Sequence, residues 1–286
     1  MKLATYQLNN KISIGAVRDN SIVDLSSIAP DMLSFIAAGS SALDRARELT
    51  RSARQAISID SVKLLAPIPN PRRNIMCLGQ NYEEHARERA RSAGKEYVPL
   101  KYPTFFTKAT HTINGPYDDI PFDASVSKHI DWEAELGVIL GRSGKNIPLD
   151  RAMDYVFGYA CINDVTARDL QAQHTQFFKG KSLDGSCPLG PWIVTADEIA
   201  DPHALKIMSR VNGVTKQDST TGEMIFKIPQ LISILSCGMT LDAGDIISTG
   251  TPSGVGEART PPEFLKPGDI VEVEVERIGL LRNRIS

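Results

Sequence analysis

Apolar and polar positions alternate in short runs at the start of the chain. Residues 2–8, 12–18 and 22–25, the last two separated by an Asp19-Asn20 turn, predict a small sheet. Between 41 and 57 the period changes: Leu43, Ala46, Leu49, Ala53 and Ile57 share one helical face, with Arg45, Arg47, Arg51 and Arg54 mostly on the other, which predicts an amphipathic helix. The run Ala66-Pro67-Ile68-Pro69-Asn70-Pro71 cannot sustain a helix and suits an extended connector. A boundary is therefore expected there, between a small N-terminal unit, 1–70, and a larger one, 71–286.

Past the connector, apolar runs predict strands at 75–78, 104–107, 134–140, 156–162, 192–195, 246–249 and 270–275. Helices are expected after Tyr82, after Thr166 and over 228–235. Strands and helices do not alternate regularly, so a parallel doubly wound sheet is not expected. The class this pattern predicts is α+β and β-rich, a sandwich or roll.

At 286 residues and 42% hydrophobic content the chain can bury a large core. Thirty-two Lys and Arg nearly balance 34 Asp and Glu, leaving a formal charge of −2. That gives no electrostatic footprint for nucleic acid or an anionic membrane, and a small-molecule substrate is expected instead. Residues 2–7 lack the apolar core of a secretory signal, and no run of about 18 apolar residues occurs, so the cytoplasm is the expected compartment. Cys77, Cys161, Cys187 and Cys237 are scattered without a C-x-x-C pair and read as reduced packing residues.

Acidic residues change the picture. In Asp131-Trp132-Glu133-Ala134-Glu135-Leu136-Gly137-Val138-Ile139-Leu140 apolar residues at 132, 134, 136, 138 and 140 hold one parity and both glutamates the other, a face that Gly137 and Ile139 continue. A strand would point the two carboxylates to one face, about 6 to 7 Å apart, where like charges in a partly buried site call for a cation or a shifted pKa. A third acid, Asp164, ends the apolar run 156–162 abruptly, while Asp169 in Thr166-Ala167-Arg168-Asp169 has a ready structural role in a capping box. Three carboxylates without a nearby Cys or His are hard oxygen ligands, suited to Mg²⁺ or Mn²⁺ rather than zinc.

The segment after Tyr82 places His85 and Glu88 at i and i+3 on one helical face, so that Glu88 can orient the imidazole. The polar stretch 89–95, broken at Gly94, has the character of a mobile lid. Lys181, between Gly180 and Ser182 after Phe177-Phe178, is placed to hold an ammonium near the carboxylates, because three of them exceed one divalent ion by a unit. Lys108 is a weaker candidate for the same face. The glycine-rich run 250–256 lacks the G-K-[S/T] ending of a phosphate loop, with Glu257 where a lysine would be required.

Four ordered phrases carry a resemblance: Glu133-Ala134-Glu135-Leu136, Asn163-Asp164-Val165-Thr166-Ala167-Arg168-Asp169-Leu170-Gln171, Gly180-Lys181-Ser182-Leu183-Asp184, and Thr249-Gly250-Thr251-Pro252-Ser253-Gly254-Val255-Gly256. From about Arg73 onward the chain resembles the fumarylacetoacetate hydrolase family, among its members the bacterial acylpyruvases and 2-hydroxyhepta-2,4-diene-1,7-dioate isomerases. The resemblance implies that family's mixed β-sandwich roll behind a small N-terminal α/β domain. It implies Mg²⁺ or Mn²⁺ on Glu133, Glu135 and Asp164, a water-activating His85–Glu88 dyad, and substrate contacts from Gln171 and Thr251; the glycine-rich run opening at Gly250 is read as binding a substrate carboxylate or carbonyl through its backbone N–H groups. Homodimers are expected on the same ground. The leading expectation is hydrolysis of a carbon–carbon bond in a β-diketo acid of the acylpyruvate or fumarylpyruvate type, in the catabolism of aromatic compounds or oxo-acids. Isomerisation of a hydroxymuconate-type dienol and decarboxylation of oxaloacetate proceed through the same enolate and form the alternative. A non-catalytic binding protein is a further one.

Overall fold

Residue parity over 134–140 sets the layers. In a computed structural model of the chain, which describes residues 1–92 and 94–286, the strand Ala134–Leu140 is buried along its whole length. Leu136, Val138 and Leu140 pack on one side with Tyr159, Ile207, Val273, Val275 and Leu281. Ile139 turns to the other side and packs with Ala160, Ile162, Ile193, Phe35 and Ile36. A strand covered on both faces has few places for a carboxylate, so each one it carries needs a partner.

The strand lies within a 12-stranded mixed sheet. Its antiparallel neighbour Val156–Asn163 pairs on its far side with Cys187–Thr195, which in turn pairs with Lys2–Leu8. On the other flank come Ile246–Ser248, then Ile75–Gly79 in parallel, then Thr104–Lys108. The strands of the first 70 residues thus continue the same sheet, with Leu3 opposite Ile193. A second sheet, in the order Val214–Thr220, Lys206–Val211, Ile270–Val275, Gly279–Arg284, covers one face of the first. This is the β-rich α+β roll expected of the family.

Several elements depart from the sequence pattern. The predicted helix over 41–57 is Gly39–Ser52: Ala53 turns to extended backbone, and Ile57 pairs with Ile22 in the sheet. A short helix, Met32–Ala37, precedes it, capped by Asp31 accepting from Ser34 N at 2.7 Å. The expected strand 192–195 begins at Cys187 and carries Pro188 and Pro191, the latter where the register shifts between Gly190 and Val194. Cys77, Cys161 and Cys187 are buried packing residues, but Cys237 is exposed. No helix among the described residues is long and apolar enough to cross a membrane.

Candidate metal centre and active-site cleft

The two central strands bring the three acids together. Glu133 immediately precedes the strand Ala134–Leu140, Glu135 is its second residue opposite Ile162, and Asp164 follows the end of Val156–Asn163. The junction is tied by Asp164 N donating to Glu133 O at 2.9 Å and Glu133 N donating to Asn163 Oδ1 at 3.1 Å. One carboxylate oxygen from each acid lies within 4.8 Å of the others, and all three residues are buried.

Their partners differ. Glu135 Oε2 accepts from Ser248 Oγ at 2.5 Å and Gly250 N at 2.8 Å, whereas Glu135 Oε1 is buried without a hydrogen-bond partner. Burial, then the charges of Asp164 and Glu133, push the Glu135 carboxyl well above the usual carboxylate range. Burial acts on Glu133 in the same direction, but the Lys181 ammonium and Arg168 guanidinium outweigh it and hold that carboxyl well below the range. Lys181 Nζ sits 2.8 Å from Glu133 Oε2 and 2.7 Å from Asp164 Oδ2; burial disfavours its charge, yet these acids raise its pKa and keep it an ammonium. Lys108 is fully buried behind the triad, 2.8 Å from Asp164 Oδ1 as an ion pair while its hydrogen bond goes to Val165 O at 3.0 Å. It touches the acid, away from the cleft.

Three convergent carboxylates, one with an orphaned buried oxygen, form a hard donor set that fits a divalent ion of the Mg²⁺ or Mn²⁺ kind. Over them opens a narrow cleft walled by Gln80, His85, Arg89, Gln171, Phe177 and Thr251. His85 and Arg89 come from the helix Glu83–Ser92, whose acidic first turn and basic last turn complement its dipole. His85 is buried with Nδ1 3.3 Å from Glu88 Oε2, and Glu88 accepts from Gly254 N at 3.0 Å. With Nδ1 turned to Glu88, Nε2 is the basic nitrogen available to a substrate. The predicted lid stretch includes Ala93, which lies outside the described residues; 89–92 belong to the helix.

The loop 249–257 is the fastener of the site. Gly250 takes φ +94, and a Cβ there would meet Asn81 Cβ at 2.7 Å, so only glycine brings this N–H to Glu135. That amide is spent on Glu135, not left open to the cleft as the glycine-rich reading assigned it. Thr251 lines the cleft while its Oγ1 donates to Ala134 O at 2.9 Å and accepts from Gln217 Nε2 at 2.7 Å.

Sequence reading passed over the buried pair beneath. Arg168 Nε donates to Asp131 Oδ2 at 2.8 Å, its NH2 lies 2.7 Å from Glu133 Oε1, and its NH1 donates to Gln171 Oε1 at 3.1 Å. Asp131 also accepts from Gly256 N at 2.7 Å and Glu257 N at 3.0 Å. The capping box proposed around Arg168 is not formed: Ala167 is the N-cap without a side-chain bond, and Asp169 accepts from Ser127 Oγ at 2.6 Å. Asp131 shares the parity of Glu133 and Glu135, the one sequence signal that could have found it. Gln80, in the left-handed region at φ +57 after the strand Ile75–Gly79, was missed as well. His129 stacks on Phe264, rings 4.5 Å apart, and plays a packing part.

Known proteins share this sequence and fold. The family model for the fumarylacetoacetate hydrolase C-terminal region matches residues 74–286. The oxaloacetate tautomerase YisK of Bacillus subtilis is 42% identical over 305 aligned positions, covering all of both chains. The solved fumarylacetoacetate hydrolase of Exiguobacterium antarcticum is 38% identical with a TM-score of 0.85, over 100% of this chain and 99% of that one. The maleylpyruvate hydrolase of Sphingobium sp. SYK-6, solved with manganese(II) and pyruvate, is 26% identical with a TM-score of 0.81, over 100% and 98%. By sequence over its whole length and by fold, the chain belongs to the fumarylacetoacetate hydrolase family.

Proposed function

We propose that this protein is a divalent-metal-dependent tautomerase of a small 2-oxo acid of the oxaloacetate class, interconverting its keto and enol forms. The observation carrying this reading is the full-length 42% identity to an oxaloacetate tautomerase, which favours isomerisation over the carbon–carbon hydrolysis that the dyad suggested in sequence. A bound ion, held by Glu133, Glu135 and Asp164, would supply Lewis acidity that polarises the keto group and acidifies C3.

The chain's own groups complete the proton inventory. Tautomerisation moves one proton from C3 to the C2 oxygen and breaks no carbon–carbon bond. His85 Nε2 accepts the C3 proton while Glu88, 3.3 Å from Nδ1, orients the ring and offsets the imidazolium charge. Lys181, an ammonium between Glu133 and Asp164, stabilises the negative charge on the enolate oxygen, and the proton that His85 took from C3 is delivered to that oxygen, leaving both groups as they began. The buried walls of the cleft keep bulk water from competing for that proton.

One observation favours hydrolysis as the second reading. A His–Glu pair at the cleft is also equipped to activate water for attack on a distal carbonyl. The assay compares Mn²⁺- or Mg²⁺-loaded protein on enol-oxaloacetate, followed by its ultraviolet absorbance, and on acylpyruvates, followed by loss of the diketo band. Acceleration of the first is expected, with His85→Gln slowing it about 10²- to 10⁴-fold, the usual span of general acid–base catalysis. Acylpyruvate cleavage beside uncatalysed oxaloacetate tautomerisation would replace this reading with the hydrolytic one.

A further inference from the structure

Each cation around the triad but one is claimed by the site's own acids. Lys181 is held by Glu133 and Asp164, Arg168 by Asp131 and Glu133, and Lys108 by Asp164. Arg89 is the exception: it lines the cleft, yet among the described residues its side chain makes no ion pair or hydrogen bond. Its guanidinium lies 6.0 Å from the Phe177 ring centre, and the side chain is half-buried. Burial, then repulsion from Arg168, works against its charge. A half-buried guanidinium with no protein acceptor is matched to an anion from outside, and its planar fork suits a carboxylate held through two parallel bonds.

Its place on the helix says which carboxylate. Arg89 stands four residues after His85, one turn along the same face. Arg87 points elsewhere and is occupied by Glu83 at 2.5 Å. A 2-oxo acid whose C3 is served by His85, with its keto and C1 carboxylate ends toward the triad, directs a C4 substituent along this face. We propose that Arg89 is the specificity-determining residue that receives the terminal carboxylate of a dicarboxylic 2-oxo acid, so that the cleft selects dicarboxylates over monocarboxylates of equal length. The assignment rests on the 2-oxo acid reading above and adds the far end of the substrate to it.

Two matched pairs of acids test it on the full-length, Mn²⁺-loaded protein. Malate and 2-hydroxybutyrate share a four-carbon skeleton and differ only in a terminal carboxylate against a methyl group; their binding is measured by calorimetry without turnover. Wild type is expected to favour malate, and Arg89→Met to lose about 10- to 100-fold in malate affinity with 2-hydroxybutyrate unchanged, the range of a charge-assisted contact. Arg89→Lys, which keeps the charge without the fork, falls between. Turnover follows the same order, KM for oxaloacetate rising in Arg89→Met while deuterium exchange at C3 of 2-oxobutyrate stays level. Equal binding of the two hydroxy acids by wild type, binding of neither, or an undiminished malate preference in Arg89→Met overturns the assignment. A malate preference that depends on Arg89, in a protein that leaves oxaloacetate unisomerised, sustains Arg89 and removes the tautomerase reading.

Discussion

Replacing Asp131 by alanine tests whether the buried pair under the metal centre holds it together. Asp131 is fully buried and accepts four hydrogen bonds: Trp132 N at 2.8 Å, Gly256 N at 2.7 Å, Glu257 N at 3.0 Å and Arg168 Nε at 2.8 Å. Alanine strands three backbone donors and one arm of a guanidinium whose remaining partners are Glu133, Gln171 and, 3.6 Å from Nε, Glu257. Breaking a buried ion pair from one side costs about 3–5 kcal/mol, and each stranded donor about 1 kcal/mol or more. Arg168 keeps the carboxylates of Glu133 and Glu257 and the loop can relax toward solvent, so about 4 kcal/mol is the expected loss. At ~2–4 °C per kcal/mol for a chain of this size, that lowers Tm by about 8–16 °C. Asp131→Asn keeps acceptors for two of the four donors and should cost about half as much. The control is Asp44→Ala, which breaks the exposed Asp44–Arg47 pair at 2.9 Å and should cost under about 1 kcal/mol. Urea titrations of the three variants give the comparison. If Asp131→Ala costs no more than Asp44→Ala, the pair is not a structural tie and the reasoning fails.

Two further perturbations probe the charges. Glu135→Gln removes a buried carboxylate that burial and its acidic neighbours disfavour, so the metal-free protein should keep or gain stability while losing the Mn²⁺-induced rise in Tm. For wild type that rise corresponds to about 2.7 kcal/mol at a hundredfold excess over Kd, and an equal rise in the variant would remove Glu135 from the ligand set. In the strand Ser21–Asp24, burial raises the Asp24 carboxyl, but hydrogen bonds from Ser26 and Tyr6 outweigh it and leave it below its ordinary value. A depressed folded-state pKa contributes stability present above the unfolded value of about 3.9 and lost as pH falls through the folded value. Wild type should therefore lose stability below about pH 4 more steeply than Asp24→Asn, and parallel urea midpoints across that interval would contradict the bond's contribution.

Sequence patterning found what depends on near neighbours. Residues 134–140 and 270–275 show alternation strong enough to fix both strand limits, and His85 and Glu88 meet because they stand three positions apart on a helix. Lys206–Val211 and Val214–Thr220 escaped notice: their outward residues are mostly polar, and the inward Gln217 holds Ala134 N at 3.0 Å instead of packing as an apolar side chain. The helix over 41–57 was drawn too long because Ile57 continues the helical period by coincidence, its side chain belonging to the sheet. Arg168 carries no signal of its own in the phrase Thr166-Ala167-Arg168-Asp169, because its partners Asp131 and Glu133 lie more than thirty positions upstream, where no local rule reaches. Glu133, Glu135 and Asp164 were legible for the opposite reason: burying three acids at the ends of apolar strands is costly without a cation.

The loop 249–257 governs how such a protein can diversify. It holds Glu135, Glu88 and Asp131 through the main-chain N–H groups of Gly250, Gly254, Gly256 and Glu257. Exchanging one side chain for another leaves those amides in place, while any residue with a Cβ at Gly254, φ +102, would drive it to 2.2 Å from Lys216 O. The loop is a chassis: it accepts little revision, and little revision of it would change the chemistry. New substrate preferences are open instead to the helix Glu83–Ser92, which meets the cleft with side chains alone and whose far turn can be rewritten without loosening a single carboxylate of the triad.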